Sequence, residues 1–311
     1  MSRDAFSYDP QDTRETTPHR STQQHRAPRA EARDSGDDAP EIAGRSEAPE
    51  AREQHSAGVE RSDTPRAYYV RDRAYLLRNS EIHSLTAIGS FRVIAAHDLA
   101  KHEYQGDDER MEKDIRHLRK QGLVSDKTVE ISQKKSLRVV TLTKAGHRLL
   151  KKAHRVPDDQ AIYHGLRKPR EVEHDSDLYR LYQKEASNIE RTGGRPLRVI
   201  LDYELKKNLN RDLALLGPDR DNEASKSEIA EKHGLQLMNG KIPVPDLRIE
   251  YETAELEIRH EDLELATREY RPRAVAEKAA AGFSLYSRPE DASRLRRILD
   301  ERELTSHILT L

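Results

Sequence analysis

The spacing of apolar residues divides the chain at about residue 65. Residues 1–64 hold one Phe, one Tyr, one Ile, one Val and no Leu, among many Arg, Asp, Glu, Ser, Ala, Pro and His. Burial cannot offset the ordering entropy of such a segment, so a disordered tail is predicted there. After it the apolar residues become periodic. Tyr68-Tyr69-Val70 and Tyr75-Leu76-Leu77 lead in. Ile82, Leu85 and Ile88 recur at helical spacing, with Ser80 as a candidate cap and Phe91 closing the stripe. Arg92–Ala95 reads as a short strand or extended link, and Ala96–Tyr104 as a helix with Leu99 inward, turning at Gln105-Gly106. Met111, Ile115 and Leu118 mark a further helix. Acidic residues at 107–109 suit its N-terminus, Gly122 suits a left-handed cap, and Leu123 is expected to pack back. Thr128–Ile131 and Leu137–Leu142 are β-type runs around Gln133-Lys134-Lys135, and Thr143 opens a closing helix as its N-cap.

Helix, helix, hairpin, helix is the order of a winged helix-turn-helix. The run KQGLV…VVTLTKAGHRLL is similar to many bacterial winged-helix proteins. In that fold the second helix enters the major groove and the wing tip touches phosphate. The candidate DNA contacts are Arg110, Lys113, Arg116, His117 and Lys120 on the helix, with Lys134, Lys135 and Arg138 on the wing. An acidic first turn and a basic remainder is also sound design for any solvated helix, and winged helices also serve as protein-binding modules.

Beyond a polar linker starting at Pro157-Asp158-Asp159, the pattern alternates between helix and strand. Helices are predicted at Glu171–Thr192, Leu205–Leu216, Lys226–Leu237, Arg273–Ser287 and Pro289–Glu303, with Gly217–Ser225 as a loop. Strands are predicted at Arg198–Leu201, Val244–Tyr251 and Ile258–Thr267, the last two as a hairpin. The fold class is α+β: a tail (1–64), a winged-helix domain (65–155) and a nuclease-like α/β domain (156–311) with a small mixed sheet flanked by helices.

Alternation puts Leu247 and Ile249 on one face of the hairpin's first strand, and Asp246, Arg248 and Glu250 on the other. On the second strand Asp262, Glu264 and Ala266 share a face. Asp246 can then converge with the Asp262/Glu264 pair. Carboxylates so paired can hold Mg²⁺, which polarises a phosphate and activates water. This order resembles the PD-(D/E)xK nuclease superfamily. Pro245-Asp246 matches the first half of its pattern; Asp262-Leu263-Glu264 matches the second only with glutamate in place of lysine, and starting from Glu264 puts Ala266 there instead. The resemblance implies that Lys278 supplies the missing charge and that Glu185 is the upstream acid. The alternatives are an ordinary acidic hairpin, or a nuclease-like fold that binds without cutting. A winged helix followed by a Pro-Asp…Leu-Glu-Leu-Ala-Thr…Glu-Lys segment also resembles the replication-relaxation family of bacterial plasmids and integrative elements, over roughly residues 70–290. That resemblance implies plasmid replication, relaxation or transfer, and so a replication or transfer protein as partner.

Composition narrows the chemistry. Charged residues are 36% and hydrophobic ones 34% of the 311, yet net charge is −1, so affinity for double-stranded DNA has to come from local patches. The absence of cysteine excludes thiol catalysis and Cys-based zinc fingers. No two of the 14 histidines lie two residues apart, which removes a His-hydrophobic-His relaxase site. No Gly-rich Lys-Ser/Thr phosphate loop is present, so ATP-driven unwinding is not expected. His174-Asp175 resembles a two-residue metal motif without further ligands, and reads as a surface His beside a helix-start Asp. No apolar run approaches the ~18 residues of a membrane span, and no signal-peptide core opens the chain, so no membrane contact and a cytoplasmic location are expected. No cofactor is expected beyond Mg²⁺ at an active nuclease-like site. A homodimer and a regulator whose second domain binds protein both stay open.

Overall fold

The computed structural model describes residues 64–133, 135–154, 156–166, 171–267, 270–300 and 308–311. They all fall in one compact unit, Val59–Leu311. The tail expected at 1–64 thus lies, but for Thr64, outside the described residues, and so does Lys134.

The two lead-in runs pair as a hairpin, β1 (Arg66–Val70) and β2 (Arg73–Leu77), around Arg71-Asp72. Arg71 takes φ 53°, the left-handed backbone that tight hairpin turns need. Tyr75 and Leu77 point inward while Tyr69 and Leu76 face solvent. Helix α1 (Asn79–Phe91) starts earlier than expected, because the Glu81 carboxylate reaches back to accept from the Arg78 N–H at 2.8 Å. Ser80 is not the cap: its hydroxyl donates to Asp114 at 2.6 Å. β3 (Val93–Ala95), α2 (Ala96–Glu103) and α3 (Asp108–Lys120) follow. Asp107 caps α3 by accepting from the Arg110 N–H at 2.9 Å. At its other end Gly122 adopts φ 74° and the Leu123 N–H bonds Leu118 O at 3.0 Å, the left-handed cap that the glycine predicts. β4 (Val124–Ser132) and β5 (Lys135–Leu142) form the wing, in a sheet ordered β3-β5-β4. α4 (Lys144–Ala153) closes the winged helix-turn-helix, with the Thr143 hydroxyl accepting from Gly146 N–H at 3.2 Å.

The second half contains α5 (Val172–Arg191), β6 (Arg195–Leu201), α6 (Asp202–Leu215), a 3-10 turn at Gly217–Asp221 and α7 (Glu223–Lys232). β7 (Leu247–Glu252), β8 (Ile258–Leu265), α8 (Pro272–Ala280), β9 (Ser284–Ser287), α9 (Pro289–Asp300) and β10 (Ile308–Thr310) complete it. The sheet order is β10-β9-β8-β7-β6. β6, β7 and β8 form an antiparallel meander, while β9 runs parallel to β8 after the α8 crossover. Two expectations for this half are corrected. The helix predicted through Ser287 stops at Ala280 and Gly282 turns the chain at φ 84°. Tyr286, whose spacing from Val275 and Ala279 imitated a helix, is instead a buried strand residue. α7 likewise begins before Lys226, because Asn222 caps it.

Helix α5 serves both halves. Val172, at its start, packs with Val93 and Val139 beneath the wing. Tyr179, Leu181 and Ile189 share a core with Phe91 of α1 and with Leu247, Ile249, Leu263 and Leu265 of the sheet. The Phe91 ring stands edge-on to Tyr179 at 5.1 Å. Each such side chain contributes roughly 1.5–3 kcal/mol by leaving water. The linker is also seated: the Gln160 amide exchanges hydrogen bonds with the Val199 N–H (3.0 Å) and carbonyl (2.9 Å), covering the free edge of β6.

Gly146 fixes the closing helix against this core. An alanine Cβ there would lie 2.2 Å from the carbonyl oxygen of Leu123. Gly→Ala inside a helix ordinarily adds about 1 kcal/mol. In Gly146→Ala we expect the opposite sign, a loss of about 1–3 kcal/mol in urea-unfolding stability.

Candidate nucleic-acid interface and carboxylate–lysine cluster

The apolar stripe of α3 is buried through Met111, Ile115 and Leu118. That orientation leaves Arg110, Lys113, Arg116, Arg119 and Lys120 exposed on the outer faces. Among the described residues no ion pair holds Lys113, Arg116 or Lys120. Asp114, the acid in their midst, faces inward to Arg78 (2.5 Å), Ser80 and Tyr104. Burial raises its pKa, against the pull of those partners.

Three other expected contacts are engaged elsewhere. His117 turns back, with Nδ1 2.5 Å from Glu81 Oε1 and Nε2 2.9 Å from the Gln121 amide. Arg138 is held within the winged helix by Glu112 of α3 and, at 2.7 Å, by Asp126 of β4. Its hydrogen bonds hold both carboxyls below their ordinary pKa, against burial. Lys135, at the wing tip, reaches Glu173 of α5 at 2.5 Å but remains more than half exposed. On the wing, Val129, Ile131 and Leu137 pack toward Val172.

At the end of the sheet, register places Asp246 beside Glu264, one step beyond the Leu247–Leu263 pair. The Asp246 N–H donates to Glu264 Oε2 at 3.1 Å, and the Leu265 N–H donates to Asp246 Oδ2 at 3.0 Å. Lys278, on α8, donates to Glu264 Oε2 at 2.9 Å and to Val244 O at 2.5 Å. Asp246, Glu264 and Lys278 therefore meet, although they are spread over 33 positions of sequence. Asp262 does not join them. Its carboxylate makes two bonds to Arg248, at 2.6 and 2.8 Å. The same guanidinium donates to His233 O and Gly234 O at the C-terminal end of α7. Glu185 does not join them either: it accepts the Tyr286 hydroxyl, about 16 Å along α5 from the helix turn that reaches Asp246.

The residue in the place expected of Glu185 is His174, so its reading as a surface histidine is corrected. Its Nε2 lies 3.3 Å from Asp246 Oδ2, and its Nδ1 lies 3.6 Å from Asp175. Tyr270 is a second participant that sequence reasoning missed; its hydroxyl donates to Glu264 Oε1 at 2.6 Å. The one available signal for His174 was its helix-start position, upstream of a strand and a Pro-Asp, where the superfamily places an acid.

These contacts set opposite protonation tendencies. Burial, and then the Asp246 charge, push Glu264 up to about 7 despite Lys278 and Tyr270. Burial would raise Asp246 too, but the bond and charge of His174 and the charge of Lys278 hold it below its ordinary range. Burial works against the His174 proton, yet Asp175 and Asp246 outweigh it and push the imidazole up to about 10. The donor set suits a hard divalent cation, since Mg²⁺ is usually held by one or two carboxylates and keeps several waters. Among the described residues, no three or more His, Cys, Asp or Glu side chains gather as a metal cage.

No family model matches the chain, and no curated protein matches it. Among solved structures, Bacillus subtilis PadR in complex with operator DNA matches over 50% of this chain and 93% of that one, at 14% identity and a TM-score of 0.21. A likeness so slight carries no argument. Among the described residues, no helix is long and apolar enough to cross a membrane.

The imidazole gives a signed pH prediction. Because its pKa rises from 6.5 in the unfolded chain to about 10 when folded, its contribution is complete below about pH 6.5. It is lost as pH climbs through 10. We expect the urea midpoint of the wild type to fall more between pH 7 and pH 10 than that of His174→Gln. Equal declines would mean that the Asp246 contact stores no proton-linked stability.

Proposed function

We propose that this protein binds double-stranded DNA by inserting α3 into the major groove. Its setting is a bacterial plasmid or integrative element, in replication, relaxation or transfer. The carrying observation is the outer face of α3, where Lys113, Arg116 and Lys120 stand exposed and no ion pair among the described residues holds them. Lysine and arginine on a groove-entering helix bind phosphate or base edges and release counterions, so affinity falls steeply with salt. The mobile-element setting draws on the resemblance to the replication-relaxation family, which also makes a replication or transfer protein the expected partner. In this reading His117 and Arg138 shape the domain and do not touch DNA.

A second reading is favoured by the meeting of Asp246, Glu264 and Lys278: a Mg²⁺-dependent DNA endonuclease that the winged helix targets. Asp246 and Glu264 would hold the ion, which supplies a polarised phosphate and an activated water. Lys278 keeps the buried Glu264 carboxylate ionisable at neutral pH and holds it against the start of β7. His174 occupies one Asp246 oxygen, so metal entry there requires the imidazole to move.

Two experiments separate these readings. By fluorescence anisotropy on duplex DNA, Lys113→Glu/Arg116→Glu should weaken binding at least about tenfold and flatten its salt dependence, with the fold intact. Undiminished affinity would remove α3 from the interface. With supercoiled plasmid and Mg²⁺ or Mn²⁺, the nuclease reading expects nicking that disappears in Asp246→Asn. A wild type that binds without nicking leaves the binder alone.

A further inference from the structure

The hairpin β1–β2 takes no part in the interface described so far, yet it is tied to the C-terminal end of α3. Arg73 Nη2 donates to the carbonyl of Gln121, the α3 cap residue, at 2.9 Å. The Gln121 side-chain amide donates in return to Leu76 O at 3.2 Å. The two elements are therefore joined at this end of α3. Arg66, Arg71 and Arg73 are exposed on the hairpin, as are Arg119 and Lys120 on the last α3 turn. Asp72 is the only acidic residue between positions 66 and 78. Among the described residues no carboxylate pairs with Arg66 or Arg71. By register Ala67, Tyr69, Ala74 and Leu76 share the outer face, with Tyr69 64% and Leu76 58% exposed, while Arg66 and Arg73 alternate onto the face of Tyr75 and Leu77.

We propose that this hairpin is a second DNA-contacting element, laid along the sugar-phosphate backbone beyond the end of α3. The contact presupposes the α3 reading and widens it. Three features favour a polyanion over other occupants. Guanidinium forks match phosphate oxygens. A two-stranded sheet leaves unpaired edge N–H groups, a second kind of phosphate donor. A second copy of the chain docking by the same face would bring like charges together. The large exposed side chains of the outer face are Tyr69 and Leu76, one aromatic ring and one aliphatic chain. Neither residue reads base edges, so the contact adds affinity without sequence preference.

The test is the salt dependence of duplex binding by the full chain. In Arg66→Gln/Arg71→Gln the slope of log K against log salt should shrink by about 2, equally on specific and random duplexes. Arg66→Lys/Arg71→Lys should restore it. Arg73 is left intact because it holds Gln121. Thermal unfolding of each variant within a few degrees of wild type confirms that the fold persists. A slope unchanged by the glutamine pair, in a wild type that binds, overturns the hairpin contact and leaves α3 standing. A wild type that binds no duplex at low salt overturns both.

Discussion

Four residues in the first two turns of α5 tie it to the wing, the β9–α9 link, the end of the sheet and α2. Val172 closes the small core under the wing. Glu173 takes Lys135 from the wing tip and Arg288 from the link between β9 and α9, the latter at 3.1 Å. His174 takes Asp246. Asp177 takes Arg288 at 2.6 Å and Arg180 at 3.2 Å, and Arg180 continues to Asp98 on α2 at 3.0 Å. Asp98 and Asp177 are almost fully buried, so these pairs contribute little net stability but resist removal of a single partner, which costs roughly 3–5 kcal/mol. Their main effect is positional. The orientation of the winged helix on the five-stranded sheet follows from where this one helix begins.

That constraint ranks the candidate contacts. Lys113, Arg116 and Lys120 are held by no ion pair among the described residues, although the Glu112 charge acts on Arg116, so a phosphate would displace no salt bridge there. Lys135 must exchange Glu173 for phosphate, and Asp246 must exchange His174 for a cation. Glu173 and His174 are sequence neighbours, so any movement of the α5 start touches the wing and the carboxylate–lysine cluster together. With a net charge of −1 over the whole chain, any attraction to a polyanion has to come from such local faces.

Much of this was legible in the chain because local rules dominate there. The apolar stripe of α3, the Gly122 cap, the Thr143 cap and the β-branched wing all place themselves by spacing alone. Alternation on β7 and β8 also put Asp246 on a face able to meet Asp262 or Glu264, and the strand register decides for Glu264. What sequence could not supply was the competition among partners. Nothing in the spacing of Arg138 says that Glu112 and Asp126 enclose it, nor in Asp262 that Arg248 takes both its oxygens. His174 reads as a surface residue until the fold carries Asp246, 72 positions later, onto it. β9 was hidden because a helix-compatible spacing ran through Gly282, whose backbone conformation ends the helix.

The central claim is that α5 makes the winged helix and the sheet one cooperative body. Hydrogen exchange across rising urea tests it most directly, by comparing amides in α3 with amides in β7 and β8. The shared helix predicts that the slowest amides of both regions open with the same free energy and the same urea dependence. A winged helix that opens at lower urea while the sheet stays protected would contradict it.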